Sequence, residues 1–240
     1  GDVEVAIYSV AYNLALAILF IPAVYTNAIY PVMSRYYKSS KENLILLYTK
    51  SFKYLYIIGL PISAGLYLLA DRIIVFFYGK EYLASVIALQ IISWFLFLKF
   101  INYLIAYALS STDQQNSRMI GQGLTAVFNV ALNLLLIPKF GYKGAAISTF
   151  LTEIFLSIVY YWYVSKSLYT YNFLPILLKP LIATAAMATF IYFVNFRLFL
   201  IIPLSAIIYF AAIFILKTFD RDDFEILKKA ISRSAPISKD

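Results

Sequence analysis

The sequence predicts an all-α integral membrane protein of about seven transmembrane helices. Three observations lead there. First, 62% of the 240 residues are hydrophobic and only 13% are charged, and the mean hydropathy is +0.80; a soluble domain needs a polar shell that this composition does not supply. Second, apolar runs of roughly 20 residues, the length that crosses a bilayer as a helix, recur between short polar connections. Third, the runs do not alternate. Leu134-Leu135-Leu136-Ile137 is continuous, whereas a transmembrane strand alternates apolar and polar positions.

Taken in order, the first span is expected from Val3 to Met33, with room to tilt or to bend at Pro22. Ser39 and Glu42 have capping-box spacing, so a helix is expected to start near Lys41 and to run into a second span from Phe52 to Ala70. The apolar stretch Ile73 to Tyr78 is too short to cross. It reads as an interfacial or re-entrant segment stopped by Gly79. The third span is Ala84 to Leu109, and the fourth is Met119 to Ile137, closed by Pro138. The fifth is Gly144 to Tyr163, the sixth Pro175 to Val194, and the seventh Leu198 to Leu216. After Lys217 the acids Asp220, Asp222 and Asp223 precede Lys228 and Lys229. Phe224, Leu227 and Ile231 follow helical spacing, which reads as a short amphipathic tail helix.

Charge sets an expected orientation. Fourteen Lys and Arg fall on one side of these spans and five on the other, with Lys99 left inside one. Cytoplasmic loops carry the excess of Lys and Arg, so the C-terminus is expected in the cytoplasm and Gly1 outside. The net charge of +8 is thereby explained by topology, without nucleic acid as a partner. An odd number of spans beginning outside, with no Met and no basic leader ahead of Gly1, reads as a piece of a longer parent.

The chemistry available is narrow. There is no Cys and no His, which removes thiol catalysis, the usual zinc and haem ligands and the commonest general base. No nucleophile–base pair, phosphate loop or metal-ligand spacing occurs, so the reading is not an enzyme, with no cofactor and no metal site. Attention therefore falls on polar residues within spans, because ionisable groups there are costly and face protein or water. Lys99 lies mid-span. It reads either as a cationic contact for an anionic substrate group, such as a lipid pyrophosphate, or as half of an ion pair or a snorkelling side chain. Asn102 sits one turn on, on the same face. Glu153 lies mid-span within a stripe of Thr149, Glu153 and Ser157. It reads as a proton or sodium coupling site, as the partner of Lys99, or as a structural hydrogen-bonding group. Gln122, Asn129 and Asn133 share a face and read as amides joining helices before they read as a substrate surface. Asn13, beside Tyr12, fits either a cavity or a helix contact. The Tyr and Trp at span ends, including Tyr160, Tyr161 and Trp162, read as an aromatic belt.

The stretch from Asn129 to Thr149, NVALNLLLIPKFGYKGAAIST, resembles the N-x-x-L-N-x-x-L-I-P-x-x-G-x-x-G-A-A signature of polysaccharide-biosynthesis flippases. These belong to the multidrug/oligosaccharidyl-lipid/polysaccharide exporter superfamily. Ala28 to Arg35 resembles that family's A-x-x-P-x-x-S helix end, and Gly59-Leu60-Pro61 and Phe77-Tyr78-Gly79 follow in order. The resemblance covers about Val3 to Tyr163. The last two spans carry no specific motif. It implies a C-terminal half: a transport lobe over 1–163, an extra helix pair over 164–217 and a cytoplasmic tail over 218–240. The first span would be helix eight of fourteen, and the N-terminal lobe would lie elsewhere. It further implies flipping of an isoprenoid-linked oligosaccharide across the plasma membrane by alternating access, with proton or sodium coupling. Membrane lipid and the lipid-linked glycan would be the partners. Flippases for the peptidoglycan precursor lipid II often carry Arg in an A-x-R-L motif where this chain has Asn13, which favours the general polysaccharide branch. A cation-coupled drug antiporter of the same superfamily and a non-transporting structural subunit are the alternatives.

Overall fold

A computed structural model describes residues 1–167, 174–194, 196–220 and 222–223. Among them there is no strand. Helices α1 (Asp2–Ile18) and α2 (Phe20–Ser39) form one long segment with an interruption at Leu19. The sequence placed the bend at Pro22. Proline has no N–H for the carbonyl four residues earlier, here that of Ile18, so the disturbance appears one turn upstream of the ring.

Helix α3 (Lys41–Leu68) starts where expected, but its cap is Ser40 rather than Ser39. The Ser40 hydroxyl accepts from the Asn43 N–H at 3.3 Å, while the Ser39 hydroxyl turns back to the Arg35 carbonyl. Helix α4 (Ala70–Tyr78) leaves α3 at 76°. Gly79, with φ +90°, ends it in a conformation that glycine adopts freely. The sequence reads this stretch as an interfacial or re-entrant segment, and the structure gives it as a nine-residue helix bent sharply off α3. Helix α5 (Ser85–Ser111) follows a single 3₁₀ turn and is the most buried of the membrane-length helices.

Helix α6 (Gln115–Ser167) is folded in two at Gly141, φ +55°. Phe128 and Phe155 stack at 4.5 Å between centroids. In a straight helix those residues would lie about 40 Å apart, so the arms before and after Gly141 run antiparallel. Pro138 lies inside the first arm and does not close it; the turn is made three residues later. Gly144 then lets the second arm press on the first, because a Cβ there would meet the Leu136 carbonyl oxygen at 2.3 Å. Helices α7 (Leu174–Phe193) and α8 (Leu198–Ile215) form a final hairpin. Five segments are long and apolar enough to cross a membrane, six with the bent α3–α4 pair. Since one of them is the folded α6, the described residues supply seven helical arms of spanning length, as a multi-pass membrane protein has.

The core is a single cluster around α5, with Phe100, Leu96, Leu104 and Leu109 fully buried. The α6 hairpin lies at the periphery, with Val127, Leu134, Leu135 and Ile158 widely exposed. Past α8, residues 217–220 fold back onto α3. The expected amphipathic tail helix beyond Asp223 lies outside the described residues.

Candidate functional site

The polar residues within the spans converge between α1, α5 and the two arms of α6. They line a cleft of about 610 Å³. Lys99 enters it from the central helix, Gln122, Asn129 and Asn133 from the first arm of α6, Thr149 and Glu153 from the second, and Tyr8 and Tyr12 from α1. A smaller cleft of about 180 Å³ adjoins it through Lys99, Gln122 and Leu156 and contains Asn102. That cleft shares Tyr107, Arg118 and Gln122 with a third, of about 410 Å³, beside Tyr30. A polar track thus runs along α5 and α6 from mid-span to the α5–α6 turn.

At its centre Lys99 Nζ lies 3.0 Å from Glu153 Oε2. Asn102 Nδ2 donates to Glu153 Oε1 at 2.7 Å and to Ser157 Oγ at 2.9 Å. Both Glu153 oxygens are therefore engaged. The carboxylate is buried, whereas Lys99 keeps 29% of its side chain exposed toward the cleft. That asymmetry matters. A lone charge at mid-membrane is expensive, and here the anion is fully compensated while the cation retains donors facing open space. Lys99 also lies 5.5 Å from the Phe95 ring. Phe95 continues into Tyr12 at 6.1 Å, and Tyr12 stacks on Tyr8 at 5.5 Å. The cleft therefore has one aromatic wall and one amide wall.

The Thr149–Glu153–Ser157 stripe is a helix-joining face, since each member bonds another helix: Thr149 with Tyr8, and the other two with Asn102. One of the amides, Asn129, does the same between the arms of α6, and Asn133 supports it from one turn along the same arm. Asn129 donates to Thr152 at 2.9 Å, and Asn133 donates to Asn129. Asn13 is not brought to the cleft and lies exposed on α1.

Sequence reasoning missed Arg118, Tyr8 and Thr125. Arg118 lies next to the α5–α6 turn and reads as a loop charge. Its signal is position: it is in the first turns of α6, where the helix dipole disfavours a cation. Its guanidinium donates to Ser110 at 2.9 Å and lies 5.6 Å from the Tyr107 ring.

A family model described as polysaccharide biosynthesis protein matches residues 1–87. The probable low-salt glycan biosynthesis flippase Agl15 of Haloferax volcanii is 24% identical over 165 residues, covering 68% of this chain and 35% of the relative. An uncharacterized membrane protein of Methanocaldococcus jannaschii, MJ1068, is 32% identical over 142 residues, covering 58% of this chain and 28% of the relative. The chain therefore spans about a third of the length of these relatives. Among solved structures, the lipid II flippase MurJ in an inward closed conformation superposes with a TM-score of 0.72 at 18% identity, covering 87% of this chain and 46% of that one. The resemblance of the sequence to polysaccharide-biosynthesis flippases holds, and the fold is of the same type.

Proposed function

We propose that this chain forms the C-terminal lobe and extra helix pair of a flippase for an isoprenoid-linked oligosaccharide. The lipid-linked glycan would move from the cytoplasmic to the outer leaflet of the plasma membrane by alternating access. The second, N-terminal lobe would complete the cavity, and no covalent step is involved. The observation that carries the reading is the charged pair at mid-depth: a compensated, buried Glu153 and a partly open Lys99 on the most central helix. The Agl15 relative supports the glycan class, and the fold supports transport of this type.

The geometry suggests how such a site would work. A phosphate of the lipid carrier entering the cleft would take Lys99 as a charge-assisted donor. Glu153 would then lose part of its compensation and favour uptake of a proton or sodium ion, which would link the substrate to a gradient. The Tyr8–Tyr12 wall and the Asn129–Asn133 amides would face the first sugars.

The test is glycan export in a strain lacking the gene, complemented with the full-length reading frame. Lys99→Ala should lower export on the order of tenfold, the usual weight of one charge-assisted contact, while Lys99→Arg retains most of it. Normal export by Lys99→Ala at normal membrane abundance would remove Lys99 from the path. Drug efflux that depends on Glu153 and ignores Lys99 would instead identify an antiporter.

A further inference from the structure

Away from the polar track, a second cavity of about 600 Å³ lies at the basic end of the bundle, between α3, the start of α7 and the chain after α8. Lys50, Lys53, Lys179 and Lys217 all line it. Within it, Lys50 and Lys53 are buried and already matched. Each holds both Asp220 and Asp223, with Lys50 2.5 Å from Asp220 and 3.0 Å from Asp223. These four charges cancel.

Lys179 and Lys217 are left over. No ion pair among the described residues engages either ammonium, although the exposed carboxylates of Glu42 and Asp222 also lie on the cavity wall. Lys179 is nonetheless tied to the chain after α8, because its Nζ donates to the Lys217 backbone carbonyl at 2.9 Å. Lys217 sits at φ +47°, a left-handed conformation that non-glycine residues rarely adopt. The α8 dipole accounts for a cation at Lys217. It does not account for Lys179, in the second turn of α7. Two further groups point to a ligand. Thr49 and Thr218, both more than nine-tenths buried and both on the cavity wall, have hydroxyls with no hydrogen-bond partner among the described residues. The remaining wall is apolar, with Ile45, Leu46 and Ile176.

We propose that this cavity binds the phosphate group of an anionic lipid. Lys179 and Lys217 supply the charge, the Thr49 and Thr218 hydroxyls complete the headgroup pocket, and an acyl chain lies along Leu46 and Ile176. The apolar wall is what selects a lipid over a free phosphate. The bound headgroup would tie the α7–α8 pair to α3 at the level of the membrane surface, where a polybasic cluster attracts anionic lipid by roughly 1 kcal/mol per Lys. This site is independent of the cleft around Lys99 and of the transport proposed there.

The experiment is native mass spectrometry of the full-length protein in detergent, titrated separately with phosphatidylglycerol and phosphatidylcholine. The expected result is one phosphatidylglycerol retained about thirtyfold more tightly than phosphatidylcholine, the weight of two surface lysines. That preference should vanish in the Lys179→Gln/Lys217→Gln variant and weaken in Thr218→Val, which keeps all charges. A Lys139→Gln/Lys143→Gln control at the opposite end should retain it. An unchanged preference in the double variant at normal thermal stability overturns the site. Saturable binding of inorganic phosphate that displaces phosphatidylglycerol overturns the lipid assignment in favour of a free anion.

Discussion

At the scale of single residues, the Lys99–Glu153 pair sets the sharpest expectation. Glu153 is buried and its Oε2 depends on Lys99, so Lys99→Ala leaves a carboxylate without a cation inside the bundle. Removing one partner of a buried pair costs about 3–5 kcal/mol. The double variant Lys99→Ala/Glu153→Gln removes both charges, and Gln retains an acceptor for Asn102. It should regain most of the lost stability, a coupling that a double-mutant cycle on thermal unfolding in detergent reads directly. If the double variant is as unstable as Lys99→Ala, the pair is not what holds these helices. The sequence made the ingredients legible: Lys99 and Asn102 at one-turn spacing, and Thr149, Glu153 and Ser157 on one stripe. Which alternative each satisfied was not legible, because that depends on how α5 and α6 rotate against each other. Arg118 was hidden for a related reason. A charge beside a turn reads as a loop charge until the turn is seen to border a cleft.

At the scale of elements, the α6 hairpin shows what a motif does and does not specify. The Pro138-Lys139-Phe140-Gly141-Tyr142-Lys143-Gly144 run locates the reversal to within a few residues. The sequence assigned the stop to Pro138, yet proline is compatible with a helix whose freed carbonyl is tolerated near its end. The true break needs a positive φ, and only Gly141 supplies it cheaply. Gly144 has the tighter constraint, since the obstacle is the backbone of the facing arm. Gly144→Ala is therefore expected to destabilise the protein by about 1–3 kcal/mol, the range for overpacking. Gly123→Ala, in the middle of the first arm with nothing within 4 Å of an added Cβ, should be neutral or stabilising by about 0.5–1 kcal/mol. Opposite signs in thermal melts are the check, and equal melting temperatures for the two variants would show that the arms do not approach this closely.

At the scale of the whole molecule, hydropathy alone orders the seven spanning arms, since each span is a local property of about 20 residues. It does not say which span is central or what closes the bundle, because those are contacts between distant parts of the chain. The clearest case is the clamp between α3 and the segment after α8, 170 residues apart in sequence. Asp220 and Asp223 cap each other's backbone N–H groups, at 2.8 and 3.1 Å. They also take Lys50 and Lys53, and the Tyr54 hydroxyl donates to Asp223 at 2.7 Å. Burial alone would raise both carboxyl pKa values. The ammonium, hydroxyl and N–H donors outweigh it and hold Asp223 well below the usual carboxylate range, with Asp220 also lowered. A carboxyl more acidic in the folded than in the unfolded state adds stability above its unfolded pKa, near 3.9, and loses it as pH falls through the folded value. The clamp should therefore be fully closed from pH 7 down to about pH 5 and should open progressively below pH 4. Tail accessibility to a protease active in acid, or thermal stability across that range, reads the transition. Asp223→Asn should lower stability at pH 7 toward that of the wild type in acid, and it should flatten the profile below about pH 4. A variant that retains the full acid-dependent drop would place the responsible carboxylates elsewhere in the bundle.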